Sequence, residues 1–179
     1  MHHLLRPIRH PVSRRLCLVL LVTALILPAL PAAPAIAAAP LVVDSAADSG
    51  DGSLRQRIEE SVERDTIVFD AALSGDTIDL DAPLALAHGL TIDASALVAP
   101  IVLDGQDATR VFAVAQDANV TLRGLTITNG YHVHEGGGIL NRGNLTISEC
   151  TLSGNAAPGE SGRDASGGAI ANYGSLIVS

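Results

Sequence analysis

The sequence predicts an all-β chain, folded as a single-stranded, right-handed parallel β-helix with three short strands per rung and a short N-terminal capping helix. Three observations carry this. Residues 136–148 (GGGILNRGNLTIS) return as residues 167–179 (GGAIANYGSLIVS), shifted by 31 positions with seven of thirteen identical. Shorter motifs recur upstream, NVTL at 119–122 matching NLTI at 144–147 and LTID at 90–93 matching VTLR at 120–123. Within each motif apolar and polar residues alternate with period two, the signature of a strand with one buried face. Self-similarity at this period marks a stacked architecture, in which each repeat buries its apolar side only against its neighbours. A β-sandwich also has short alternating strands, but they do not usually repeat one another's sequence in register.

In chain order, residues 1–37 read as an export signal. Arg6, Arg9, Arg14 and Arg15 form a basic head, residues 16–27 are an apolar run, and Ala35-Ile36-Ala37 is an A-x-A cleavage site. The run is shorter than the ~20 residues a bilayer span needs, and Pro28, Pro31 and Pro34 follow it, so no membrane span is expected in the mature chain. Residues 38–63 form the N-terminal cap. Within it, residues 54–62 read as a helix with Leu54, Ile58 and Val62 on one face and Asp51 or Ser53 as its cap. Solenoids need such a cap because an open end exposes core and unpaired strand edges.

Residues 64–179 form the β-helix. Thr66 to Phe69 and Thr77 to Leu80 are its first strands. Leu90, Val120, Leu145 and Leu176 point inward with Ile92, Leu122, Ile147 and Val178, leaving Thr91, Thr121, Thr146 and Ile177 outside. A second register puts Ile101, Leu125 and Cys150 inside with Leu103, Ile127 and Leu152. A third puts Val114, Ile139 and Ile170 inside, with Gln116, Asn141 and Asn172 stacked as an amide ladder at one corner. Gly105, Gly124, Gly130, Gly143, Gly154 and Gly174 mark the turns, where positive φ is expected. The chain stops inside a recognisable strand, so a truncated solenoid able to associate end to end is expected.

The opening DSGDGSLRQRI (48–58), followed by DTIVF (65–69) and SGDTI (74–78), resembles the start of bacterial right-handed β-helix surface proteins. GGAI (167–170) and LSGN (152–155), where that group has F-x-x-N, make the repeats similar to those of polymorphic outer-membrane proteins. The resemblance spans nearly all of residues 42–179. It implies a pectin-lyase-like fold, an extracellular or outer-cell-surface location, and a structural or adhesive role. Host or environmental glycans, or other surface proteins, are the partners it implies. The alternative in the same fold is a polysaccharide lyase or glycoside hydrolase.

Removing residues 1–37 leaves 7 Arg and no Lys against 19 Asp and Glu, a formal charge of −12. Such a chain has no electrostatic footprint for nucleic acid. No paired-carboxylate or calcium constellation stands out, so no catalytic residue, metal or cofactor is assigned. The candidate contacts are Tyr131, His132, His134 and Glu135, an H-x-H-E segment able to face one side if extended, and Asp93 with Arg123, outward neighbours on adjacent rungs. Glu160 or Asp164 would be needed to complete a zinc site there. Tyr173 is a further exposed contact beside a turn glycine.

Overall fold

A computed structural model describes residues 39–159 and 167–179; the predicted export signal and the Glu160 and Asp164 positions lie outside them. The elements in order are β1 (Leu41–Val43), α1 (Leu54–Glu60), β2 (Asp65–Phe69), a 3₁₀ turn (Ala71–Leu73), β3 (Thr77–Asp79), β4 (Leu84–Leu86), β5 (Leu90–Asp93), β6 (Ile101–Asp104) and β7 (Phe112–Val114). They continue as β8 (Asn119–Arg123), β9 (Leu125–Thr128), β10 (Ile139–Asn141), β11 (Asn144–Ser148), β12 (Thr151–Ser153), β13 (Ile170–Asn172) and β14 (Ser175–Val178). Every strand pair is parallel. The strands form three sheets, ordered β1-β2-β5-β8-β11-β14, β3-β6-β9-β12 and β4-β7-β10-β13. The chain visits the three in turn, so it winds as a parallel β-helix.

The core is a set of stacked columns. Ile67, Ile92, Leu122 and Ile147 line the first sheet, each no more than 2% exposed. Ile78, Leu103 and Ile127 line the second; Leu84, Phe112 and Ile139 line the third. Outside, Thr66, Thr91, Thr121 and Thr146 stack in register on adjacent rungs, and Asp93 stands beside Arg123.

The third sheet departs from the predicted register. Ile139 pairs with Phe112, and Val114 pairs with Asn141. A slip of two residues preserves the inward face, because side chains alternate with period two, so Val114 is still buried. Gln116, however, is exposed and outside the ladder, which consists of Asn141 and Asn172. The cause is the residues 115–118 turn, longer than the residues 142–143 turn above it, which absorbs the shift.

The last rung departs too. Val178, predicted inside, is 68% exposed, and Cys150 and Leu152 are only partly buried, because no described strand lies above them. Burial nonetheless raises the Cys150 thiol pKa, and its sulfur lies 3.3 Å from the Ser148 carbonyl.

Of the six predicted turn glycines, only Gly124 and Gly154 have positive φ. Gly105 and Gly130 serve close approach instead: a Cβ on Gly105 would lie 2.7 Å from the Gly130 Cα.

The cap explains its own sequence. Ser53 caps α1, its Oγ accepting from the Gln56 N–H, while the Gln56 side chain accepts from the Gly52 N–H at 2.7 Å. Leu54 is 1% exposed and plugs the core. Arg55 donates to the carbonyls of Ala82 and Pro83 and pairs with Asp48, fastening the helix to the turn before β4. The helix ends at Ser61, whose hydroxyl donates to the Ile58 carbonyl and lies 3.0 Å from His88 Nε2. Val62 therefore falls beyond the helix and is 65% exposed, not on its buried face.

Candidate functional site

The connections from second to third sheet lengthen rung by rung, from residues 80–83 to 105–111, 129–138 and 154–169. Tyr131, His132, His134 and Glu135 all lie on the third of these. Its base is set by Asn155 of the LSGN motif, whose Oδ1 accepts from the Gly130 N–H at 2.8 Å and whose Nδ2 donates to the Ile127 carbonyl at 2.9 Å. Tyr131 then bridges to Ala156, and its N–H donates to the Thr109 carbonyl.

The far half of this loop is held by Arg110, which is 8% exposed. Its Nε donates to the Gly136 carbonyl at 2.7 Å and its Nη2 to the Glu135 carbonyl. Burial lowers the Arg110 pKa, an effect opposed by the nearby Glu135 carboxylate. Fixed from below, the loop sends the Glu135 side chain toward the corner that follows β10 and β13. There it meets Arg142 at 3.3 Å and comes close to the Tyr173 hydroxyl. That hydroxyl, followed by the Arg142 and Arg110 charges, holds the Glu135 carboxyl below its ordinary range against the opposing effect of burial. The Glu135 carboxylate in turn raises the Tyr173 pKa.

This fixes a pH dependence. A carboxyl whose folded pKa is depressed contributes stability above its unfolded pKa, and that contribution is lost as pH falls through the folded value. Acidification below the ordinary Glu range is therefore expected to release Glu135 from Arg142 and Tyr173 and to loosen the loop around it. Protection factors of this loop's amides, corrected for the intrinsic pH dependence of exchange, should fall there in the wild type, while Glu135→Gln should show the lower protection already at neutral pH. Equal exchange in both proteins at neutral pH would refute the clasp.

His132 is turned back on its own loop. Its Nδ1 accepts from the N–H groups of His134 and Glu135, at 3.4 and 3.3 Å. Desolvation, then the Arg110 charge, lowers its pKa. The two imidazoles meet edge to face, with centroids 6.1 Å apart. Among the described residues no three His, Cys, Asp or Glu side chains are placed to hold a metal ion. Asp93 and Arg123 lie on the outer face of the first sheet, 3.4 Å apart, with Glu149 at 3.8 Å from Arg123. They form an exposed ion network separate from the loop residues.

What the loop residues do approach is a groove along the third sheet. A cleft of about 610 Å³ is lined by Gln116, Asp117, Arg142, Asn144, Tyr173 and Ser175, among others. A second hollow of about 390 Å³ shares Gln116 and Arg142 with it and is floored by Ala85, Ala113 and Leu140, the outward residues of β4, β7 and β10. The two hollows adjoin at Gln116 and Arg142, the polar one at the corner and the apolar one on the sheet face.

Sequence reasoning missed Arg110 and Arg142, and did not join Tyr173 to Glu135. A signal for two of them existed. Asn141-Arg142-Gly143 and Asn172-Tyr173-Gly174 are the same two-residue corner in successive rungs, so their middle residues project side by side. Nothing in the sequence marked Arg110, because its partners are backbone carbonyls.

No family model matches the chain, and no curated protein or solved structure does.

Proposed function

We propose that this protein is an exported β-helix module of the cell surface or extracellular space, with an adhesive role, and that it holds an extended glycan in the groove beside Arg142 and Tyr173. The carrying observation is the pairing of an exposed aromatic ring with a charged and amide-rich rim, next to an apolar floor running along the stack. Tyr173 is 61% exposed. A sugar ring offers an apolar face that packs on an aromatic, and hydroxyls that bond Arg, Asp and amide groups. Rungs repeat about every 4.8 Å, close to the length of one pyranose unit in an extended chain. The groove can therefore present equivalent contacts to successive sugars. Glu135 orients both Arg142 and Tyr173, which suits a preformed site. The signal-like pattern of residues 1–37 and the sequence resemblance of motifs such as DSGDGSLRQRI (48–58) and GGAI (167–170) are what support the location.

The test is binding of the purified protein to arrayed polysaccharides, with Tyr173→Ala and Arg142→Ala as variants. Both residues are exposed, so circular dichroism should be unchanged. Each variant should bind at least about tenfold more weakly, the equivalent of 1.4 kcal/mol. A wild type that binds no glycan, or variants that bind as well as it does, would remove this reading. Release of soluble oligosaccharide during the assay would move it to the polysaccharide-cleaving alternative.

A further inference from the structure

Asn119-Val120-Thr121 and Asn144-Leu145-Thr146 are both N-x-T sequences, the acceptor pattern for N-linked glycosylation. They begin two adjacent strands in register, so that Asn119 pairs with Asn144 and Thr121 with Thr146. Each strand places its Asn and its Thr two residues apart, on the same outward face. Both asparagines are exposed, while the intervening Val120 and Leu145 are buried. From this geometry we infer that Asn119 and Asn144 are carriers of N-linked glycan. The inference rests on the export reading above, since the sugar donor is met only by a chain crossing a membrane.

The chemistry is a group transfer. The Asn side-chain nitrogen attacks the anomeric carbon of a lipid-linked oligosaccharide diphosphate. A C–N bond forms, the sugar–phosphate C–O bond breaks, the lipid diphosphate leaves, and one amide proton passes to the transferase. The Thr hydroxyl two residues on is the element that the transferase recognises beside the amide.

The fold tolerates the product. Asn144 Nδ2 donates to Asn119 Oδ1 at 2.9 Å. A primary amide nitrogen has two N–H groups, and glycosylation consumes one, so the other still serves this bond. Asn119 contributes its oxygen, which the reaction leaves untouched. The attached sugars project from the corner that begins β8 and β11, away from the core. The Asn144 glycan would start on the rim of the Arg142–Tyr173 cleft, which Asn144 lines.

The test is to produce the full chain in cells with an N-glycosylating secretory pathway, once behind its own leader and once behind a foreign one. Secreted protein is measured by intact mass before and after peptide amidase treatment, which removes the glycan and converts its Asn to Asp. The wild type should carry glycan at both sites. Asn119→Gln and Asn144→Gln should each lose one glycan, Thr121→Ala should lose the one at Asn119, and Thr121→Ser should keep it. Glycan on protein secreted only behind the foreign leader would sustain the sites and count against the export reading alone. Secreted protein of unmodified mass at both asparagines would overturn the inference. If neither leader yields secreted protein, the urea-unfolded full chain is offered to purified oligosaccharyltransferase with its lipid-linked donor, and absence of transfer overturns the inference in the same way.

Discussion

Phe112→Ala should destabilise this protein by about 3–5 kcal/mol, the range for emptying a buried aromatic site. Phe112 is fully buried and is the largest such side chain. It fills the inward column of the third sheet between Leu84 and Ile139. The surrounding core is built from smaller Leu, Ile and Val side chains on rungs fixed by their ladders, so collapse into the cavity is restricted. In a stacked fold each rung is stabilised only by its neighbours. Loss at a middle rung therefore weakens the coupling between the halves, and the unfolding transition should broaden as well as shift. Thr121→Ala, in the outward threonine column, is the control and should stay within about 0.5 kcal/mol. Urea titration followed by circular dichroism reads both. Equal midpoints for the two variants would mean that Phe112 does not fill the core.

The fold was legible because the rungs repeat in sequence as well as in space. The 25-residue shift from Val120 to Leu145 and the 31-residue shift from Leu145 to Leu176 are the register of β8, β11 and β14. What was not legible follows from weaker local signals. β1 and β4 are three residues each, too short for a period to show. β7 was placed two residues out of register because Phe112-Ala113-Val114 fits the Ile139 column equally well by alternation. Positive φ was assigned to glycines, yet Asn129 and Glu149 adopt it at corners where other rungs use Gly154 and Gly124. Chain geometry there demands the left-handed conformation, and Asn tolerates it at modest cost.

The candidate site was legible only in part. Glu135 stood out as part of a His-x-His-Glu run able to face one side if extended, with no partner assigned to it. The structure turns its carboxylate toward Arg142 and Tyr173 on the next two corners, through contacts across 7 residues to Arg142 and across a rung to Tyr173. Periodicity reports which face a strand residue occupies, and is silent about where a ten-residue-scale loop folds back. Tertiary placement by Arg110, through backbone carbonyls alone, decides that.

The corner that presents Arg142 and Tyr173 depends on one buried amide, and Asn141→Leu should cost about 1–2 kcal/mol. Asn141 is 0% exposed with every polar atom engaged. Its Oδ1 accepts from the Gly143 N–H at 3.1 Å, and its Nδ2 donates to Asn172 Oδ1 at 2.6 Å and to the Ser175 carbonyl at 2.9 Å. Leucine fits the column sterically, since Leu86 and Val114 occupy it on the rungs below. Its burial gains about 1.5–3 kcal/mol. Against that, each buried partner left unsatisfied costs about 1–3 kcal/mol. Three partners lose a bond: the buried Gly143 N–H bears that full cost, whereas Asn172 and Ser175, both exposed, find water and lose only the net ~0.5–1.5 kcal/mol of each bond. The polar loss therefore exceeds the apolar gain. The expected signature is local as well as global. The Gly143 amide should lose its exchange protection, and with the turn loosened, Arg142 should no longer be held against Glu135, so glycan binding should fall along with stability. If Asn141→Leu were as stable as the wild type and kept Gly143 protected, the Asn141–Asn172 stack would be a by-product of the repeat and would have no part in shaping the site.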